Sequence, residues 1–375
     1  MYKFTNRSKS KYFKFKKNYK STKFILSIIL EKKNIIIFKN DAVGDLSQSL
    51  DAINNIINYN KNNNITIYLS ERSANFDFLL NYENVKIKKV NYDLSLIDKI
   101  KIIKFILKHQ FLSIYILTPK KFYFYLPVIF RKIKFYALCL NGNNNYRRPS
   151  EFLRKYLHKY VVNDRSSIKK RQSTMKIQVN LTADLNFSKK YEINSVPKYT
   201  NNSFNKINNY IYFHLKLENF KKLGWGLNDL KMIFNEFLKY KKKVVFTRDI
   251  NPKYKIDDIS SNFKVINFSQ NETFNEDLPI TLVDEIKGSD LYNLVRNADK
   301  VVAFHGMMTN LASIEKRPVL DLFHCEIKSL HDYRKYKNAM YEFKPNYKDY
   351  DFIVPSKNLS KTLNKMRFSL KKINQ

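Results

Sequence analysis

Glycine and cysteine are scarce in this chain of 375 residues: six of one and two of the other, with nine prolines and a single tryptophan. So little glycine and proline excludes a collagen-like or low-complexity chain. A glycine-rich dinucleotide fingerprint and a P-loop are both missing, which argues against dinucleotide-dependent and ATPase chemistry. Cys139 and Cys325 have no second cysteine at metal spacing, so neither a disulfide framework nor a thiolate metal site is expected. Long hydrophobic runs are missing too. The longest, Phe24 to Leu30 and Phe122 to Phe130, fall well short of the roughly 20 residues that span a bilayer. After the first of them, Glu31-Lys32-Lys33 stands where a signal peptide would carry small residues. No membrane span is expected, and the expected location is the cytoplasm, with a peripheral station on the inner membrane.

Acidic residues are the remaining shortage. Asp and Glu number 33 against 69 Lys and Arg, a net charge of +36, which points first to nucleic acid and then to an anionic membrane surface. Lysines number 56 and arginines only 13, amid abundant Asn and Ile, so a coding bias towards A and T raises lysine throughout the chain. A phosphate reader would favour the bidentate fork of arginine. Nucleic acid is therefore not the expected partner, and a non-catalytic basic module that binds nucleic acid or membrane phosphates stands as the alternative reading.

What is present is material for two cores: 44% apolar and 15% aromatic residues, in a chain long enough for about two domains of ~150 residues. Residues 1–32 form a basic arm; its first 23 residues hold nine Lys or Arg, no acid, and interleaved aromatic residues suited to lipid headgroups. From residue 33 the chain alternates strand-like and helix-like patterns. Ile35 to Phe38 is a buried-strand run, followed by a polar loop and then Leu46, Leu50, Ile53 and Ile57 at helical spacing. Further strand-like runs follow at Ile65 to Leu69, Val85 to Val90, Leu112 to Leu117 and Ile133 to Leu140.

This alternation predicts a first domain over 33–190, a linker over 191–209 where periodicity is lost, and a second domain over 210–355. In the second, strands are expected at Tyr210 to His214, Val244 to Thr247, Phe263 to Phe268, Val301 to Phe304 and Val319 to Phe323. The predicted fold class is α/β: two Rossmann-like doubly wound domains facing a central cleft. A last amphipathic helix, 356–375, is expected to return and brace the first domain.

Three stretches resemble one enzyme family. Ile35-Ile36-Ile37-Phe38, with the loop Lys39 to Asp45 ending Gly44-Asp45, resembles the opening of glycosyltransferase family 9, the heptosyltransferase-like enzymes that use ADP-heptose and lipopolysaccharide. Tyr210 to His214, a Lys-rich loop and Trp225 resemble that family's His-containing strand, basic loop and tryptophan. His305 to Ser313, followed by Arg317 to Phe323, resembles its donor-site helix start and next strand. Where the family has Asp-Thr-Gly and a later His, this chain has His305-Gly306-Met307 and Asn310, a string that also resembles glycosyltransferase family 61. The resemblance spans roughly residues 33 to 325.

The resemblance implies a metal-independent inverting glycosyltransferase of the GT-B fold, without a cofactor. It would move a sugar, heptose in the nearest parallel, from a nucleotide-diphosphate donor to a lipid-linked or cell-surface glycan acceptor such as the lipopolysaccharide core. Asp45, at the carboxyl end of the first strand, is the candidate base, with Asp41 in reserve. An aspartate at that place is equally an ordinary helix cap. Gly44 would let a substrate approach the backbone closely. The helix start after His305 offers unpaired N–H groups for a diphosphate, with Gly306 for close approach and His305 and Asn310 for phosphate or ribose. Lys221 or Lys222 corresponds to the family's diphosphate lysine. His214 is expected to be structural. Asp349-Tyr350-Asp351 spells a metal-binding tripeptide of the other large glycosyltransferase fold, but its place near the chain's end argues against that role, and no metal is expected.

Overall fold

A computed structural model describes residues 33–141, 149–164, 174–182, 197–241, 243–249, 259–270, 272–274, 278–323, 340, 344–345 and 348–372. The basic arm and the first six residues of the linker, 191–196, lie outside the described residues.

The first sheet contains β1 (Asn34–Lys39), β2 (Asn64–Ser70), β3 (Val85–Val90), β4 (Phe111–Ile116), β5 (Lys134–Asn141) and β6 (Lys159–Asp164). All pairings among the described strands are parallel, in the order β3-β2-β1-β4-β5-β6. A central parallel strand is covered on both faces, which is why Ile35, Ile36, Ile37 and Phe38 are all buried instead of alternating. Ile35 and Ile37 face α1 (Val43–Tyr59), whose Leu46, Leu50, Ile53 and Ile57 form the predicted stripe. On the opposite face lie α2 (Leu96–Lys108), α3 (Leu126–Ile129) and α4 (Glu151–Arg154), joined to Ile36 and Phe38 through Ile102, Ile106, Leu126 and Leu153. A reciprocal capping box starts α2: Asp98 N–H donates to Ser95 Oγ at 3.1 Å and Ser95 N–H donates to Asp98 Oδ2 at 3.1 Å. Next comes α5 (Thr174–Leu181), packed beside α1.

The second sheet is also parallel: β7 (Tyr210–Leu215), β8 (Lys243–Arg248), β9 (Lys264–Asn267), β10 (Ile280–Asp284), β11 (Lys300–Phe304), β12 (Val319–Leu322) and β13 (Tyr350–Ile353), ordered β13-β12-β11-β7-β8-β10-β9. Its helices are α6 (Leu217–Lys222), α7 (Leu227–Phe237), α8 (Ile259–Asn262), α9 (Gly288–Arg296), α10 (Met307–Ile314) and α11 (Leu359–Lys372). The last of these corrects an expectation: α11 does not brace the first domain. Leu359, Leu363, Met366 and Leu370 pack with Leu320, Leu322 and Ile353 of the second sheet, and Lys300 Nζ donates to the Leu370 carbonyl at 2.8 Å. Its apolar stripe finds the nearest uncovered sheet face, which is that of its own domain.

The end of the linker segment is packed as well. Tyr199, Phe204 and Ile207 are buried, with the Phe204 ring 4.6 Å from that of Phe268. Between the lobes, α1 packs on α10, the Phe78 ring meets Tyr292 edge-on at 5.5 Å, and one apolar cluster runs from Ile35 through Met308 to Ala303. Gly288 sits at φ +60, and a Cβ there would stand 3.0 Å from the Asn75 carbonyl oxygen of the other lobe. Glycine is required there both for its backbone and for the close approach.

Candidate active site

In an open parallel sheet, neighbouring connections diverge at the strand where winding reverses, and a crevice opens beyond the carboxyl ends there. The first sheet reverses between β1 and β4, the second between β7 and β11. The loop after β1 carries Asp41 and leads into α1, with Asp45 in its first turn. His305 and Gly306 follow β11 and lead into α10. The two switch points face each other: Asn310 Nδ2 of α10 donates to the Gly44 carbonyl at 3.4 Å, and a Cβ on Gly44 would lie 3.4 Å from that nitrogen. Gly44 therefore admits the opposite lobe, a use not foreseen from the sequence, where it was read as room for a substrate.

A hollow of about 560 Å³ lies between the lobes, walled by Asp45, Gln48 and Arg72 on one side and His305, Gly306 and Met307 on the other. A second of about 540 Å³ opens within the first domain, shares Asp45 and Gln48, and is lined by Asp41, Lys120, Lys121 and Gln178. The two aspartates differ sharply. Asp41 is tied down: Lys39 Nζ lies 2.7 Å from its Oδ2, and Thr118 Oγ1 donates to the same oxygen at 2.9 Å. Burial pushes its carboxyl above the ordinary value, a rise opposed by Lys39 and increased by Asp45.

Asp45, by contrast, is exposed and belongs to both hollows. It does not cap the helix: the N-cap is Ala42, and no side chain caps α1. As a first-turn carboxylate it sits at the positive end of the helix dipole. The side-chain oxygens Asp41 Oδ1, Gln48 Oε1 and Gln178 Oε1 are buried in the second hollow's lining with no hydrogen-bond partner among the described residues. Buried acceptors of this kind are satisfied by a donor that the hollow admits, such as a hydroxyl.

Across the hollow, His305 is held from behind. Its Nδ1 lies 2.7 Å from Oδ2 of Asp321, which is 0% exposed, and Tyr350 donates its hydroxyl to that same oxygen at 2.6 Å. The ring also lies 4.2 Å from that of Phe323. An acceptor at Nδ1 keeps the proton there and directs Nε2 away from Asp321. Gly306 takes φ 156 and ψ −144, backbone that favours glycine, and turns the chain into α10. The first N–H groups of an α-helix have no partner within it, so the start of α10 offers donors and the positive dipole end to an anion. Arg72, its guanidinium 3.9 Å from the centre of the Tyr92 ring, adds a full charge from the first lobe.

The structure thus brings together Asp41, Asp45, His305, Gly306 and Asn310 among the residues singled out in the sequence. It leaves out Lys221 and Lys222. Both are exposed at the C-terminal end of α6, Lys222 paired with Glu218 at 2.8 Å, and neither lines either hollow. The helix starts at the carboxyl end of the central strand β7, but the two lysines occupy its last turn, about one and a half turns further on. His214 is structural: its Nδ1 meets Thr247 Oγ1 at 2.9 Å, and burial pushes the imidazole down to about 4. Asp349-Tyr350-Asp351 opens β13, with Tyr350 on Asp321 and Asp351 3.5 Å from Lys372. Sequence reasoning missed Arg72, Gln48, Gln178, Asp321 and Tyr350. Asp321 did leave a trace, as the one acid inside the apolar run Val319 to Phe323.

No family model matches the chain, and no curated protein matches it in sequence. Solved structures match its fold. The E. coli heptosyltransferase WaaC with ADP-2-deoxy-2-fluoro heptose is similar over 90% of this chain and 99% of its own, at 10% identity and a TM-score of 0.55. A glycosyl transferase family 9 structure from Veillonella parvula matches over 90% of each chain, at 13% identity and 0.54. A UDP-N-acetylglucosamine 2-epimerase from Listeria monocytogenes, described as putative, covers 91% of this chain and 88% of its own, at 10% identity and 0.52. The chain has the two-domain GT-B fold, as its resemblance to family 9 implied. An epimerase shares that fold, so the reaction has to be argued from the site.

Proposed function

We propose that this protein is an inverting glycosyltransferase, moving a sugar from a nucleotide-diphosphate donor to a hydroxyl of a glycan acceptor. The observation that carries this reading is the pairing, across one hollow, of the exposed Asp45 carboxylate with the anion-binding start of α10. The Asp45 carboxylate takes the proton of the acceptor hydroxyl, and the hydroxyl oxygen bonds to the anomeric carbon. The bond from that carbon to the diphosphate oxygen breaks on the opposite face, and its electron pair leaves with the diphosphate. His305, Arg72 and the first N–H groups of α10 meet the charge that develops there. The acceptor occupies the first-domain hollow, its hydroxyls donating to the orphaned oxygens of Asp41, Gln48 and Gln178.

The WaaC structure, with its ADP-heptose analogue, supports heptose as the transferred sugar, and the similar fold of the E. coli ADP-heptose lps heptosyltransferase II supports lipopolysaccharide as the acceptor. The test is ligand-observed NMR with a panel of ADP-, UDP- and GDP-sugars, together with an assay for nucleoside diphosphate release. One nucleotide class should bind, and the acceptor should accelerate release. Binding of none at millimolar concentration, or conversion of the sugar without release of diphosphate, overturns the reading.

A further inference from the structure

Seven of the twelve large apolar side chains exposed among the described residues sit on a single layer: Leu96, Ile97, Ile100 and Leu107 on α2, Tyr125 and Ile129 at α3, and Phe152 on α4. Scattered exposed apolar residues are ordinary, but a cluster on one face is not. The α2 helix shows how the face is organised. Ile102 and Ile106 bind it to the sheet, while Leu96, Ile100 and Leu107, spaced i, i+4 and i+11, form an outward seam. Leu96 is 71% exposed and Leu107 69%. One residue on, at the same spacing, run Ile97, Lys101, Lys104 and Lys108, so an exposed basic row lies beside the apolar seam. Lys121, Arg131 and Lys132 extend the positive charge, while Asp98 is occupied by Ser95 and Asn91.

We infer that this layer docks on an anionic phospholipid surface, with the α2 seam in the headgroup boundary and the lysine row on lipid phosphates. The charge selects this occupant. A second copy of the chain would set lysine row against lysine row. The chain's own arm, with nine basic residues and no acid in its first 23, carries the same sign as the face. Nucleic acid is read by arginine forks and stacked aromatic rings, whereas the seam is aliphatic, as a bilayer boundary requires. The layer also adjoins the acceptor hollow: Tyr92 and Asp93 on its rim lead into α2, and Lys120 and Lys121 lead into the turn before α3. Docking would therefore bring the hollow's mouth to the surface where a lipid-linked acceptor resides. That last consequence rests on the proposed function; the docking itself does not.

The experiment is co-sedimentation of the full chain with phosphatidylcholine vesicles, with and without a quarter of phosphatidylglycerol. The anionic vesicles should bind the wild type, and Leu96→Gln/Ile100→Gln/Leu107→Gln should weaken binding at least tenfold with circular dichroism and melting temperature unchanged. Lys101→Glu/Lys104→Glu/Lys108→Glu should abolish the preference for phosphatidylglycerol. Unchanged vesicle binding by the seam variant overturns the inference. So does a wild type that ignores anionic vesicles, or one that binds a DNA duplex through the same residues. Donor binding on the same samples separates the two readings. A chain that docks through the seam but takes no nucleotide sugar retains the surface and loses the transferase, and the opposite result does the reverse.

Discussion

Replacing Asp41 by Asn removes the counter-charge of a lysine that has almost no contact with water. Lys39 is 1% exposed, and its Nζ lies 2.7 Å from Asp41 Oδ2. An amide can still accept one hydrogen bond but no longer balances an ammonium charge, and breaking a buried pair from one side costs about 3–5 kcal/mol. Urea unfolding at pH 7, followed by far-UV circular dichroism, should show a loss of that size with little change in slope. Lys39→Met/Asp41→Asn should recover most of it, because both charges leave and the methionine fills the space of the lysine stem. Asp45→Asn should fall within about 0.5 kcal/mol of wild type, as an exposed surface substitution does. A single Asp41 variant within about 1 kcal/mol of wild type, or a double variant worse than the single, would refute the reasoning. The comparison has a functional use. An inactive Asp41 variant reports on folding and on acceptor binding together, whereas an inactive Asp45 variant that keeps its stability reports on chemistry.

Asp321→Asn should lower kcat/KM by about ten- to a hundred-fold, the equivalent of losing a charge-assisted hydrogen bond of roughly 1.5–3 kcal/mol behind His305. Tyr350→Phe should cost about fivefold, for a neutral bond of about 1 kcal/mol. Steady-state kinetics in which both variants turn over at the wild-type rate would remove this support from the mechanism. His214, held down at about 4 by burial against an unfolded value of 6.5, makes stability depend on acid. Between those values the unfolded chain binds a proton that the folded chain refuses. Stability is therefore full above pH 6.5 and declines by on the order of 3 kcal/mol as pH falls through 4. Urea midpoints at pH 7 and 5 should show this decline, and His214→Gln should reduce it; an identical decline in the variant would assign the acid sensitivity elsewhere.

The elements that build the site were the ones most legible in the sequence. A central parallel strand buried on both faces leaves a continuous apolar run, so Ile35 to Phe38 and Val301 to Phe304 stood out, as did the helical stripe of α1. The short outer strands did not. β6 and β13 lie at sheet edges, and in β13 the half-polar Tyr350–Ile353 is hidden further by a chance metal-like string; β10 lies inside its sheet, but Thr281 interrupts its apolar run. In the site, Asp45 and His305 could be found because each directly follows a legible strand. The Asp321 contacts could not, because they join residues 16 and 29 apart, a pairing that only the sheet creates. The misplaced Lys221 and Lys222 show the opposite difficulty: with 56 lysines in the chain, a lysine at a plausible spacing discriminates poorly. The Lys39–Asp41 pair was readable in principle, since residues two apart at a strand end point the same way.

The most direct measurement is turnover by Asp45→Asn set beside its affinity for the donor. With the nucleotide sugar that binds best, the dissociation constant should stay within about twofold of wild type while acceptor-dependent release of nucleoside diphosphate falls by about 10²–10⁴, the usual share of a general base. Wild-type turnover in this variant would mean that the carboxylate facing α10 abstracts no proton, and the account of the site would fail with it.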